Sequence, residues 1–525
     1  MDARRAHLDF AASPADAATM ADASDPTGRP MTRIGQAWHT LLRNPSAMIV
    51  GNTVLQSVLR LVSNIVLARL LAPSAFALLA LTSLILTGLQ MISDVGIAIT
   101  ALREGEMSEE NEAKLWTMQL GRGIVVGVLM AVAAAPIGWI YQDAQLRDVV
   151  LALALLPMLQ GAQSLYPVLA LAHRRLLPST ILEVTGRVFA IVVSILVALV
   201  IPNVWALVIA TLAGVVYTTV GSHVLSGRLP RFVFDPGYIR HQWRFARWIQ
   251  TSSTLTFVGM QIDKAVFPFL FGMSAFGLYG IGATFAAMPA QITQRWSASV
   301  FYPLAVQLLK GDAQARAQLI GIRTTMLLYS VIVTLVVMAG SPAFFLLLYA
   351  PGYHAAARFA EILAIGTFFE VAEASLRHFP LVEGTPHYEV WTVVVRLAAF
   401  TIAVMVLHLL GAGVSGYALA YVVGLIASHG FMLVTCVRRG YLRPGLDIVL
   451  TIILAGAAGV IYVLPLPQAN ALELIAQAAL IAMVGGAAML VVYVRRGLPS
   501  LPAEPATGTL IEAAEEELGT LPKRA

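Results

Sequence analysis

An all-α polytopic membrane protein built from two similar halves is the fold class that three observations predict. First, 58% of the 525 residues are hydrophobic and 12% charged, too apolar a balance for a soluble chain of this size. Second, about fourteen runs of roughly 20 mostly apolar residues follow one another, each long enough to cross a bilayer. Third, a segment near the start returns 200 positions later. Leu70-Leu71-Ala72-Pro73-Ser74-Ala75-Phe76-Ala77-Leu78 matches Leu270-Phe271-Gly272-Met273-Ser274-Ala275-Phe276-Gly277-Leu278 at five of nine positions. A repeated membrane protein of this kind reads as a transporter with its pathway between the halves.

The elements follow in order. Residues 1–43 lack an apolar core and are rich in Ala, Asp, Ser and Pro over the first 30, so they read as a disordered cytoplasmic tail and lead-in, with Met31 as an alternative start. The first half, 44–226, holds spans near 48–71, 76–101, 119–141, 149–172, 179–201 and 204–226. Residues 227–243 form a cytoplasmic linker whose Arg228, Arg231, Tyr238, Arg240, His241 and Trp243 suit an amphipathic segment on an anionic membrane surface. The second half, 244–440, holds spans near 245–270, 276–307, 321–348, 357–380, 387–410 and 413–436. Two more, near 446–465 and 471–494, occupy 441–496 ahead of a cytoplasmic tail at 497–525.

Gaps carrying Arg43, Arg103 and Lys114, Arg174 and Arg175, Arg228 and Arg231, Lys310 and Arg316, Arg438 and Arg439, or Arg495 and Arg496 alternate with gaps holding only Arg147 and Arg358. Positive-inside reasoning makes the basic set cytoplasmic and puts both termini inside, as an even span count requires. The formal charge of +5 is therefore a matter of topology and gives no case for nucleic acid. Cys436 is the only cysteine, which excludes an intramolecular disulfide and any cysteine metal cluster. No metal or cofactor is expected. The bare loops are too short for an external catalytic domain, so no enzyme activity is expected either.

A charge at mid-bilayer costs ~2.5–3.5 kcal/mol on insertion scales and needs a reason. Arg60 lies about 12 residues into the first span, near its centre at a rise of ~1.5 Å per residue, and Asn52, Gln56 and Asn64 share its face at i, i+4 spacing. Arg187 and Arg396 occupy equivalent places in spans five and eleven, and Arg295 shares a face of span eight with Gln291. Asp94 accompanies Thr87 and Gln90 on span two, Asp263 and Lys264 lie in the outer third of span seven, and Glu370, Glu373 and Arg377 share a face of span ten. Each has a bland alternative. Arg60 reads as cavity-lining against an inter-lobe salt bridge or a pair with Asp94. Arg187 and Arg396 have Glu183 and Glu373 as structural partners to choose from, and Lys264 has Asp263 or the outer surface. Glu373 and Arg377 read first as an i, i+4 pair, and Arg69, Arg122 and Arg323 as interfacial anchors near span ends.

The run LARLLAPSAFALLALTSLILTGLQMISDVGI at 67–97 resembles the first hairpin of the Wzx-type lipid-linked oligosaccharide flippases, the polysaccharide transporters of the MOP (multidrug/oligosaccharidyl-lipid/polysaccharide) exporter superfamily. YPVLALAHRRLLPSTILEV at 166–184 followed by VWALV at 204–208, and IDKAVFPFLFGMSAFGLYGIGATFAAMP at 262–289, carry the same resemblance over roughly residues 44–440. It implies two six-helix lobes with pseudo-two-fold symmetry about the membrane normal, enclosing a cavity that opens to one side at a time. The two C-terminal helices exceed the usual twelve and, by analogy with lipid II flippases, would form a groove for a lipid tail. The implied function is transfer of an undecaprenyl-diphosphate-linked oligosaccharide across the bacterial inner membrane for lipopolysaccharide or exopolysaccharide biosynthesis. Its partners would be that lipid-linked sugar, membrane lipids, a polysaccharide polymerase and a chain-length regulator.

Such cargo needs cations for a diphosphate and amides or hydroxyls for sugars, and arginine supplies a permanently charged planar fork for phosphate. Arg60, Asn52, Gln56, Asn64, Arg187, Arg295 and Arg396 are the expected cavity residues. Asp94, Asp263, Lys264, Glu370 and Glu373 are candidates for ion coupling. A cation-coupled drug exporter of the same superfamily is the nearest rival, but it should carry more acidic than basic deep charges. A membrane-embedded glycan polymerase or ligase is further off, because the first external turn is only Ala72-Pro73-Ser74.

Overall fold

The computed structural model describes residues 45–93, 108–172, 176–309, 313–383, 385 and 387–463. Among these the regular structure is helical throughout. The expected span at 471–494, both tails and Asp94 lie outside the described residues. In the first half α1 (Pro45–Leu67), α2 (Pro73–Ile92), α3 (Glu109–Ile140), α4 (Ala144–Leu153), α5 (Leu155–Gly161), α6 (Tyr166–Ala172), α7 (Leu176–Val200) and α8 (Val204–Ser226) follow one another. The second half is α9 (Pro236–Leu309), α10 (Ala313–Leu348), a 3-10 turn at Pro351–Tyr353, α11 (Ala356–Val382), α12 (His387–Leu409) and α13 (Gly413–Arg438), followed by α14 (Gly445–Val463).

Eight helices among the described residues are long and apolar enough to cross a membrane, and the protein is a multi-pass membrane protein. With 23 and 27 residues, α1 and α11 have spanning length at ~1.5 Å per residue. The charged residues of α11 keep it outside that set of eight. The single span expected at 149–172 is instead three short helices, interrupted at Ala154 and between 162 and 165. The expected spans seven and eight are one 74-residue element broken at Gly272, where φ is 80° and ψ 169°, backbone that a residue with a Cβ rarely adopts.

The linker packs on the first half. After Gly227 closes α8 in a left-handed cap (φ 66°), residues 228–235 run without regular structure across the start of α3. Arg228 pairs with Glu109 at 2.7 Å and Glu112 at 3.3 Å, and Lys114 with Asp235 at 3.1 Å. The Val233 amide donates to Thr117 Oγ1 at 2.9 Å. The Tyr238 amide, with Lys114 beside it, holds the Asp235 carboxyl below the usual carboxylate range. Helix then begins at Pro236 and runs on without a break as far as Gly272.

The halves meet along α2 and α9, and the repeated motif is what meets. A Cβ on Gly277 would lie 2.0 Å from the Pro73 carbonyl oxygen, so one copy of the motif packs backbone-close on the other. Small residues at such crossings are how helices associate where no hydrophobic force separates protein from lipid. The Tyr353 hydroxyl donates to the Leu71 carbonyl at 2.6 Å, the Tyr141 hydroxyl to the Ala265 carbonyl at 2.8 Å and Arg69 Nη2 to the Leu348 carbonyl at 3.3 Å. Arg69, expected to anchor at an interface, instead ties the halves together. All three bonds lie at the end whose loops are poor in basic residues. Beneath them Phe267, fully buried, stacks on Tyr279 with centroids 4.5 Å apart and meets Tyr417 edge-on at 5.0 Å. Each such pair contributes about 0.5–1.5 kcal/mol beyond its buried area.

Candidate functional site

Two cavities lie side by side in the interior. The larger, about 730 Å³, is bounded by α1, α7 and α8. Because α1 repeats its polar residues every fourth position, Asn52, Gln56, Arg60 and Asn64 all line it. From α7 come Glu183 and Arg187, one turn apart, and from α8 come Thr211 and Thr218. Asn52 Nδ2 donates to Glu183 Oε2 at 2.8 Å. That bond occupies the carboxylate that Arg187 was free to choose, and no ion pair to Arg187 occurs among the described residues. Arg60 Nη2 donates to Gln291 Oε1 of α9 at 2.8 Å, while its Nε is buried without a partner. The chamber therefore holds two guanidiniums, one carboxylate already accepting a hydrogen bond, and a wall of amides and hydroxyls.

The smaller cavity, about 430 Å³, shares Arg60 and Gln291 with the first and is otherwise lined mainly from the second half. Asp263 is buried there. Its Oδ2 accepts from the Tyr279 hydroxyl at 2.8 Å, its backbone carbonyl from the Tyr417 hydroxyl at 2.8 Å, and its Oδ1 has no partner. Lys264 does not pair with its neighbour; its Nζ donates to Gln261 Oε1 at 2.6 Å. Glu370 and Tyr421 complete this wall.

Arg396 borders the smaller cavity but is only 4% exposed and already engaged. Its Nη2 donates to both Glu373 oxygens, at 2.9 and 2.8 Å, and its Nε to Ser428 Oγ at 3.3 Å. Glu373 also accepts from Ser428 at 2.6 Å and from Arg377 at 3.2 Å. The structure thus brings Asn52, Gln56, Arg60, Asn64 and Arg187 to one chamber, and Asp263, Lys264 and Glu370 to the next. Arg396 and Glu373 close on each other. The side chain of Arg295, like the whole of Asp94, lies outside the described residues.

Arg323, expected near a span end as an anchor, is 5% exposed and forked onto Asp447 of α14 at 2.9 and 2.5 Å. Sequence reasoning missed Asp447 and the neighbouring His429, which lies 3.6 Å from it. It also missed Tyr279, Tyr417 and Tyr421. For the tyrosines the available signal was polar side chains inside apolar runs, with no charge to draw the eye.

A two-lobed bundle of membrane helices around a polar interior is a transporter architecture, and solved structures share it. Lipid II flippase MurJ in its inward closed conformation superposes with a TM-score of 0.65 at 12% identity, covering 85% of this chain and 98% of that one. A multidrug resistance MATE family transporter of the MOP superfamily, inward-facing, gives 0.51 at 14% identity over 73% and 94%. At these identities the likeness is one of fold. The family model for polysaccharide biosynthesis proteins matches residues 66–357, and the chain belongs to that family. Among curated relatives, the succinoglycan biosynthesis transport protein ExoT of Rhizobium meliloti (strain 1021) is 22% identical over 268 residues, 51% of this chain and 54% of the relative. The lipopolysaccharide biosynthesis protein WzxC of Escherichia coli (strain K12) is 23% identical over 269 residues, 50% and 51%. The matches span about half the length of each.

Proposed function

We propose that this protein is a flippase that carries a lipid-linked oligosaccharide, with a diphosphate at the head of its lipid, across the bacterial inner membrane for surface polysaccharide biosynthesis. The observation that carries the reading is the larger chamber. Arg60 and Arg187 face one polar space with no carboxylate closing on either among the described residues, and charge-assisted bonds to phosphate are the chemistry they offer. Asn52, Gln56, Asn64, Thr211 and Thr218 supply the donors and acceptors a glycan needs. The family, the transport relatives and the MurJ-like fold support the same reading.

The work is relocation, with no bond made or broken. The basic loops at one end support cytoplasmic termini, and on that reading the three cross-lobe bonds of Arg69, Tyr141 and Tyr353 close the outer face. At a net ~0.5–1.5 kcal/mol each, they hold that face shut by an amount that differential binding of a ligand can overcome. The smaller chamber, with Asp263 and Glu370, is the candidate place for a coupling ion. A polymerase and a chain-length regulator are the partners expected to receive the cargo outside.

The test is Arg60→Ala in a strain lacking the native copy, scored by surface polysaccharide and by the amount of protein in the membrane. Export should be lost at unchanged abundance, with Arg60→Lys retaining part of it. Normal export by Arg60→Ala would overturn the assignment.

A further inference from the structure

We infer that Gln291 is an anion-displaced latch. Its amide oxygen occupies the guanidinium of Arg60 across the two lobes until a diphosphate takes its place, which makes release of the lobes conditional on a charged cargo. The inference rests on the flippase reading and specifies how its anion site is regulated.

Four observations converge on it. Arg60 stands on α1 and Gln291 on α9, so their 2.8 Å bond joins the halves in the interior, away from the seal at the loops. Both side chains line both cavities, which makes the bond the partition between the chambers. Arg60 Nε is buried and unpartnered, so one amide oxygen leaves the guanidinium short of an acceptor that a diphosphate would provide. Finally, the partner is neutral. The other deeply buried arginines in contact with this lobe's core are held by carboxylates, Arg396 by Glu373 at 2.8 Å and Arg323 by Asp447 at 2.5 Å, and an incoming anion gains little by competing with those. An amide oxygen is a weaker acceptor than a phosphate oxygen, because ionised partners form bonds roughly twice as strong. Exchange at Arg60 therefore runs downhill for an anion and not for an uncharged sugar.

The geometry also explains why the bond crosses the lobes. When the guanidinium turns from Gln291 to a diphosphate held with Arg187, the same event fills the site and removes an inter-lobe tie. Binding and permission to move then share one hydrogen bond.

The test uses the full chain, purified and reconstituted, with inorganic pyrophosphate as probe and calorimetric binding as readout. Gln291→Met keeps volume and removes the acceptor; Gln291→Glu keeps shape and adds a charge. Met should bind pyrophosphate about 2- to 10-fold more tightly than wild type, the span of one net hydrogen bond. Glu, whose carboxylate the probe must displace, should bind about tenfold more weakly or worse. A purely structural Gln291 would not move the two near-isosteric variants in opposite directions. If wild type binds but both variants match it, the latch is wrong while the anion site stands. If wild type and Arg60→Ala are alike, or neither binds, the anion site fails and the latch with it. Should Gln291→Met fail to fold, Gln291→Leu takes its place, and should Gln291→Glu fail, Gln291→Asp does.

Discussion

Arg396 offers the sharpest test of which deep arginines serve structure. Arg396→Met removes a guanidinium that is 4% exposed and leaves Glu373, 2% exposed, without its bidentate partner. Breaking one side of a buried ion pair costs about 3–5 kcal/mol. Two contacts survive on Glu373, from Ser428 at 2.6 Å and Arg377 at 3.2 Å, so the expected loss sits near the lower end. That is ~3 kcal/mol, or roughly 150-fold in the unfolding equilibrium. The double variant Arg396→Met/Glu373→Met removes both charges together and should return to within about 1 kcal/mol of wild type. Unfolding in mixed micelles against rising denaturing detergent measures both, and export in the same strain reports on transport. A neutral Arg396→Met refutes the closed-pair argument. A double variant that is stable but cannot export would show that the Arg396–Glu373 pair serves transport after all.

Gly277→Leu should force the motif copies apart, since even a Cβ would meet the Pro73 carbonyl at 2.0 Å; cross-linking between Leu71 and Tyr353 positions should fall, and unchanged cross-linking would remove this contact from the seal. For α14, Arg323→Asp or Asp447→Arg alone should destabilise the chain by about 3–5 kcal/mol. The double charge swap should recover much of that loss in the same unfolding assay, and absence of any recovery would mean the two side chains do not meet.

The repeat and the polar stripe of α1 were readable because both are matters of period. A spacing of four puts Asn52, Gln56, Arg60 and Asn64 on one face whatever the tertiary context, and all four line the larger chamber. What sequence could not give was the partner across space. Glu183 looked as available to Arg187 as to any other group, and only the approach of α1 to α7 gives it to Asn52. Likewise Arg323 sat near a span end and read as an anchor, until α14 brought Asp447 against it. The motif copies were legible as similar, but their packing on each other depends on the symmetry of the assembled lobes. The broken helix at 144–172 was hidden for a different reason. Residues 149–159, across the break at Ala154, are apolar without interruption, and hydropathy does not record where a helix stops.

The two lobes share a backbone plan but not a chemistry, and one pair of equivalent residues shows why. Arg187 and Arg396 occupy matching spans, yet Arg187 opens on a cavity while Arg396 is sealed by Glu373. The difference lies in the helix each meets. Residues 149–172 of the first half contain no acidic residue, whereas the corresponding α11 carries Glu370 and Glu373. The first helices diverge in the same sense, with Arg60 replaced by Met260 at the equivalent position. The first lobe's chamber thus carries two guanidiniums to one carboxylate, Glu183, and the second lobe keeps more carboxylates, paired at Glu373 and enclosed at Asp263. A repeated frame with cations in excess in one chamber and acids in the other suits a division of labour. On the flippase proposal an anionic head group would be held by the first lobe, and any proton or cation that the cycle consumes would have its place in the second.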